Sequence, residues 1–276
     1  MKFSMCNEMY EHWPFEKICD FIAEAGFDGI EIAPFTLASD AGKVGPEQRR
    51  QIVQAAKNAG LEITGLHWLL AKTEGYHLTT PDDAVRERTF AYFQELIRLC
   101  ADVGGKVMVL GSPLQRNLAP DVSLDAVLKN VVDFFQRLVP DLERAGVVLA
   151  LEPLAPSETN FLTKADEAVD LAKRIGAPEQ VAIILDCKAM CGGETLTIPE
   201  VIRKHRGEFV HFHANDPNLQ GPGFGDLDFV PIFQALEDVN YTGWVSVETF
   251  DYSPGVEHLT LESIQYMKKA YMESKK

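Results

Sequence analysis

The chain has 276 residues, 46% of them hydrophobic, with 26 Lys and Arg against 41 Asp and Glu, a formal net charge of −15. That length suits one α/β barrel and is ample for a large core. The acidic surface repels nucleic-acid phosphates and anionic membranes, and no Lys/Arg run offers a local exception, so neither is an expected partner. The five cysteines are odd in number, and the C-x₃-C pair Cys187 and Cys191 has no second pair to complete a zinc site. The N-terminal MKFSMCNEMY lacks an apolar signal core, and no apolar run is long enough to span a bilayer. Reduced thiols in a cytoplasmic protein are the expectation, with a homo-oligomer left open.

In chain order, strand patterns fall at 2–6, 29–33, 62–68, 106–111, 147–153, 181–187, 209–214 and 244–249. Helical patterns fall between and after them, at 14–26, 45–60, 81–104, 122–145, 164–176, 197–207, 228–239 and 256–274. Pro14 and Pro81 mark helix starts, and Gly26, Gly60, Gly104–Gly105 and Gly146 mark helix ends. Pro140 inside the fourth helix predicts a kink or break there. Strict βα alternation means a parallel sheet. Eight units with no linker predict a single (β/α)8 TIM barrel over 1–276, with an open doubly wound sheet as the alternative. The first strand argues against the open sheet, because Cys6-Asn7-Glu8-Met9 replaces the Gly-rich turn of a dinucleotide fold. The long connections after the strands then lie together at the catalytic end of the barrel.

Polar groups gather at the C-terminal ends of the later strands. Strand 5 ends in Glu152, strand 6 in Asp186, strand 7 in His213 and strand 8 in Glu248. Side-chain alternation puts Val148, Ala150 and Glu152 on one face, and likewise Ala182, Ile184 and Asp186, His211 and His213, and Ser246 and Glu248. The opposite faces carry Leu149, Leu151, Leu185, Val245 and Val247, suited to packing under helices. Three carboxylates converging in a partly buried mouth repel one another unless a cation joins them. One divalent ion, Mn²⁺, Mg²⁺, Co²⁺ or Zn²⁺, satisfies three oxygens and one nitrogen and leaves positions for a substrate.

The segments GFDGIEIAPF (26–35), LALEPLAPSETNFL (149–162), IILDCKAM (183–190), HFHANDPNLQGPGFGDLDF (211–229) and GWVSVETF (243–250) resemble the xylose isomerase-like TIM-barrel family of sugar phosphate isomerases and epimerases. This family includes the D-tagatose 3-epimerase and inosose isomerase types. The resemblance spans essentially the whole chain and implies that Glu152, Asp186, His213 and Glu248 hold the metal. His213 is preferred to His211 because His213-Ala-Asn-Asp216 resembles the family's His-x-Asn-Asp segment. It also implies an isomerase or epimerase of a small ketose, keto-polyol or hydroxy-keto acid. The metal would stabilise an enediolate, with Glu152 and Glu248 as the acid/base pair on opposite faces of the substrate. Glu158 resembles the family's substrate-binding Glu.

Departures from the tagatose type are visible. Ala189 stands where those enzymes carry a His, and Leu219 where they carry an Arg, so a different substrate is expected. Lys188 is a candidate cation at the mouth. His67 and Trp68 end strand 3 and are candidate substrate contacts, His67 with the alternative of a satisfied barrel histidine. Glu31 reads as a barrel ion-pair partner. Gly221-Pro-Gly-Phe-Gly225 reads as a flexible active-site loop with Phe224 as a lid. The main functional alternative is a metal-dependent lyase or dehydratase acting on a keto-sugar or keto-glycoside. An apurinic-site endonuclease needs more metal ligands and a basic face, and a non-catalytic sugar binder has no use for both glutamates.

Overall fold

A computed structural model describes all residues 1–276. Eight parallel strands form a closed barrel in sequence order, and β8 pairs back onto β1. They are β1 (Lys2–Cys6), β2 (Gly29–Ile32), β3 (Glu62–Leu66), β4 (Val107–Leu110), β5 (Val148–Leu151), β6 (Val181–Asp186), β7 (Phe209–Ala214) and β8 (Trp244–Val247). The helices are α1 (Phe15–Ala25), α2 (Pro46–Ala59), α3 (Asp83–Asp102), α4 (Leu124–Ala145), α5 (Ala165–Ile175), α6 (Cys187–Gly193), α7 (Ile198–Lys204), α8 (Phe229–Asp238) and α9 (Val256–Glu273). Both the barrel and its (β/α)8 order are those expected from the alternating pattern. The open sheet is overturned by the β1–β8 pairing. No helix is long and apolar enough to cross a membrane.

Helix ends follow their local chemistry. Gly60 and Gly146 close α2 and α4 in the left-handed region, where a side chain would be strained. Pro140 does not break α4, which runs through it to Ala145. The residue is exposed, and so is Gln136, whose carbonyl loses its helical partner; water can satisfy that oxygen. The short α6 falls inside what the sequence shows only as a long connection. It forms because Asp186 caps it, accepting the Ala189 amide at 2.6 Å.

The main core lies between the strands and the helices, where Leu149, Leu151, Leu185, Val245 and Val247 are buried. The barrel interior is a separate compartment, and its two halves differ. On the β4–β6 side, Val107, Val109, Ala150 and Ile184 form a small apolar cluster of their own. On the side of β1, β2, β3, β7 and β8 stand Ser4, Cys6, Glu31, His67, His211, His213, Ser246 and Glu248, all buried. Buried polar groups are stabilised by pairing, and Glu31, His67, His211, His213 and Glu248 do pair across this half, while Ser4 Oγ, His67 Nδ1 and His211 Nδ1 find no partner; the other half is held by packing.

Gly65 joins the halves. It pairs with Val107 across β3 and β4, and a Cβ on it would lie 1.8 Å from the Val107 carbonyl oxygen. That contact is with backbone and cannot be relieved by a rotamer change. Gly65→Ala should therefore destabilise the fold by on the order of 1–3 kcal/mol or more, read by chemical denaturation. A loss below about 0.5 kcal/mol would show that β3 and β4 are free to part.

Candidate metal centre and active site

The ends of β5, β6, β7 and β8 bring Glu152, Asp186, His213 and Glu248 together. One donor atom from each lies within 4.8 Å of all the others, and all four residues are buried. His213 sits at the centre, with Nδ1 3.1 Å from Glu248 Oε2 and 3.5 Å from Glu152 Oε1. Asp186 is held by two further partners: Oδ1 accepts the Ala189 amide and Oδ2 accepts Asn215 Nδ2, each at 2.6 Å. Asn215 also takes the Lys188 amide on its Oδ1 at 2.8 Å, which ties the β6 and β7 ends together. Glu248 Oε1 accepts the indole N–H of Trp68 at 2.5 Å. Gly111 leaves room for Glu152, since a Cβ there would fall 2.1 Å from Glu152 Oε2.

The electrostatics show a set built around positive charge. Burial, then the neighbouring Glu152 and Glu248, push the Asp186 carboxyl up to about 7. Burial opposes charge on His213 as well, but Glu248 and Glu31 outweigh it and hold the imidazole well above its ordinary value. Glu248 is also desolvated, yet the His213 charge and hydrogen bond bring it below the usual carboxylate range. Glu152 Oε1 is buried with no hydrogen-bond partner. Three carboxylates, one imidazole and an unpaired buried oxygen fit a divalent cation of the Mn²⁺, Mg²⁺, Co²⁺ or Zn²⁺ type.

Glu152, Asp186 and Glu248 line a cavity of about 330 Å³ together with Trp68, Leu114, Leu154, Glu158, Lys188 and Phe250, among others, while His213 lies beneath it. Lys188 Nζ is bonded to Glu158 Oε1 at 2.6 Å and lies 4.4 Å over the Phe250 ring. Burial disfavours the Lys188 charge, but Asp186 and Glu158 raise its pKa regardless. Trp68 stacks on Phe250, with ring centroids 5.8 Å apart and planes 20° apart. Its backbone is in the left-handed region at φ 52°, a strain of about 1–3 kcal/mol that places its indole against Glu248. Leu219 and Lys188 border an adjoining hollow, while Ala189 is buried on α6.

Two expectations differ from what the structure shows. His67 is fully buried and absent from the cavity lining; its Nε2 faces Glu8 Oε2 at 2.8 Å. It stands as a paired barrel histidine beneath the mouth. The 221–225 loop does not cover the cavity. Phe224 packs edge-on against His258 of α9, and Gly221 and Gly223 are pressed against Ser263 and Tyr266 of the same helix.

Several residues of the site carry no signal in the sequence. Phe250 follows Glu248 and reads as ordinary apolar sequence. Glu8 and Asn215 need their partners' positions to acquire meaning. Arg116 is buried, donating through Nη1 to the backbone oxygens of Leu110 at 3.2 Å and Glu152 at 2.7 Å. Burial, against the pull of Glu152 and Glu158, lowers its pKa to about 10. It pins the backbone that carries Glu152. Cys6, Glu31 and His67 also lie close together. However, burial pushes the Cys6 thiol up to about 12, and both Glu31 oxygens already serve imidazoles.

The chain is thus a closed parallel barrel with carboxylates and an imidazole gathered at its strand ends, an arrangement able to hold a metal ion. The family described as Xylose isomerase-like TIM barrel matches residues 19–270, and the chain belongs to it. A D-psicose 3-epimerase of Enterocloster bolteae is 28% identical, over 86% of this chain and 77% of that protein. A 3-dehydro-D-guloside 4-epimerase of Escherichia coli is 29% identical, over 83% and 84%. Among solved structures, the D-psicose 3-epimerase with D-tagatose from Clostridium cellulolyticum superposes with a TM-score of 0.82 at 21% identity, covering 100% and 98% of the two chains. The 3-keto-D-glucoside 4-epimerase of E. coli gives 0.84 at 24%, covering 98% and 99%. At such identities the superpositions speak for the fold. With relatives of this kind, the chain is an enzyme.

Two outcomes follow from the site. Protons on Asp186 and on His213 Nδ1 compete with a cation, so divalent-ion affinity should fall as pH is lowered, starting above the ordinary imidazole range where His213 takes up its proton and continuing as Asp186 does so at about 7. Mn²⁺ titration calorimetry across that range checks it, and a flat profile would contradict the assignment. Gly111→Ala should move the Glu152 carboxylate and weaken Mn²⁺ binding by roughly tenfold or more, with the chain still folded by circular dichroism.

Proposed function

We propose that the protein is a divalent-metal-dependent epimerase that inverts the carbon next to the carbonyl of a ketose or keto-glycoside. The observation that carries this is the placement of Glu152 and Glu248. They come from β5 and β8, three strands apart around the ring, yet both belong to one donor set under one cavity. The relatives support it chemically. C3 of a 2-ketose and C4 of a 3-keto sugar are each adjacent to a carbonyl, so the same proton chemistry serves the 3-epimerase and the 4-epimerase alike.

The ligands proposed are Glu152, Asp186, His213 and Glu248. A divalent ion bound there supplies Lewis acidity, polarising the carbonyl and the neighbouring hydroxyl and stabilising enediolate charge. One glutamate takes the proton from the carbon next to the carbonyl. The other, entering protonated from the opposite side, gives a proton to the opposite face, and the centre is inverted with no change in mass. Trp68 holds Glu248 in place through its indole N–H. Glu158 and Lys188 are the substrate-gripping pair we propose, presenting an acceptor and a cation to hydroxyls on the side where Ala189 and Leu219 offer no polar side-chain group. A cavity of about 330 Å³ lies at the small end of ligand sites and suits one sugar ring.

The test uses Mn²⁺-loaded enzyme with D-fructose, D-psicose and 3-keto-glucosides in D₂O. One deuterium should enter at the inverted carbon, and the epimer should accumulate without loss of a substituent. Release of a leaving group would move the protein to the lyase class. Glu152→Gln and Glu248→Gln should each lower kcat by roughly 10²–10⁴-fold, with ion content measured separately because both residues are ligands.

A further inference from the structure

We infer that Glu31, which lies below the cavity, is a positioning residue that fixes His213 with Nδ1 aimed at the ion site. The inference rests on the metal reading above. Glu31 is 1% exposed and is not part of the cavity lining. Its Oε1 lies 3.2 Å from His213 Nε2, and its Oε2 lies 2.7 Å from His211 Nε2. A carboxylate only accepts, so both imidazole nitrogens donate to it. By the same rule His213 Nδ1 donates to Glu248 Oε2, so both ring nitrogens carry a proton in the absence of a cation, and the one a cation displaces is that on Nδ1. Nε2–H is committed to Glu31, and Nδ1 faces Glu248 at 3.1 Å and Glu152 at 3.5 Å, inside the donor set.

The arrangement has the logic of a carboxylate behind a ligand histidine. The carboxylate holds the ring's orientation and tautomer and makes the opposite nitrogen a better donor. Glu31 is the carboxylate that His213 Nε2 donates to. It is itself immobilised, because His211 occupies its other oxygen and Ser246 Oγ lies 3.3 Å from the same His211 nitrogen. His67 Nδ1, at 4.0 Å from Oε1, is too far to share the load. Glu31 thus locks two rings of β7 from across the barrel, on β2.

Glu31→Gln tests the assignment. The amide keeps the shape but has one acceptor oxygen and turns an N–H₂ toward one of the two imidazole N–H groups. Mn²⁺ affinity by calorimetry should fall roughly 10–100-fold. Affinity within about twofold of wild type, even with a lowered Tm, would overturn the assignment and leave Glu31 a core polar group. Because the variant can fail to fold, ¹⁵N NMR of Zn²⁺-loaded, histidine-labelled wild type provides a second reading. His213 should show a slowly exchanging Nε2–H and a metal-bound Nδ1. Binding through Nε2 would overturn the inference while sparing the metal site. Wild type that takes up no divalent ion would overturn both.

Discussion

The mutual repulsion of three carboxylates in a space closed to water is the constraint around which the upper barrel is arranged. Glu152, Asp186 and Glu248 are each at most 4% exposed, and charges so placed must be neutralised or protonated. The chain answers with positive or hydrogen-bonding groups from every direction. His213 stands between Glu248 and Glu152, Trp68 binds Glu248, and Asn215 with the α6 amide holds Asp186. Arg116, from the connection after β4, fixes the backbone at Glu152. These contacts set directions for the carboxylates without discharging all of them, which is the condition a cation site requires.

The pull of that charge extends beyond the mouth. His213 is anchored by Glu31, Glu31 by His211, and His67 by Glu8. A second tier of imidazoles and carboxylates therefore fills one side of the cylinder. Polar groups in such a tier stabilise only when their partners are present, so the tier is a rigid foundation more than a source of net stability. The strained Trp68 backbone belongs to the same logic. Its unfavourable φ persists because the indole is clamped by Glu248, Phe250 and Phe35.

Much of this was readable in the residues. Alternating βα periodicity gives the barrel, because a strand buried on both sides and a helix with one apolar stripe leave distinct patterns. The two-residue period also gives the inward direction of Glu152, Asp186, His213 and Glu248, and the structure gathers these four into one cluster. What escaped depended on distant pairings. His67 reads like a mouth residue, being at a strand end, but Glu8 from the β1 loop draws it inward. Pro140 reads as a break, but exposure makes its lost hydrogen bond inexpensive. The glycines of 221–225 suggest mobility, whereas they permit close approach to α9. Lys188 and Glu158, thirty positions apart, become an ion pair only once β5 and β6 are neighbours.

The uneven lining of the barrel also divides the molecule's tolerance for change. Val107, Val109, Ala150 and Ile184 touch no charge that chemistry needs, and aliphatic exchange of matched volume is the gentlest of core alterations. That quadrant is where an engineer seeking a sturdier scaffold has freedom. The facing quadrant has almost none, since Glu31, His67, His211, His213 and Glu248 each answer to another side chain, and a single exchange would propagate from ring to carboxylate toward the mouth.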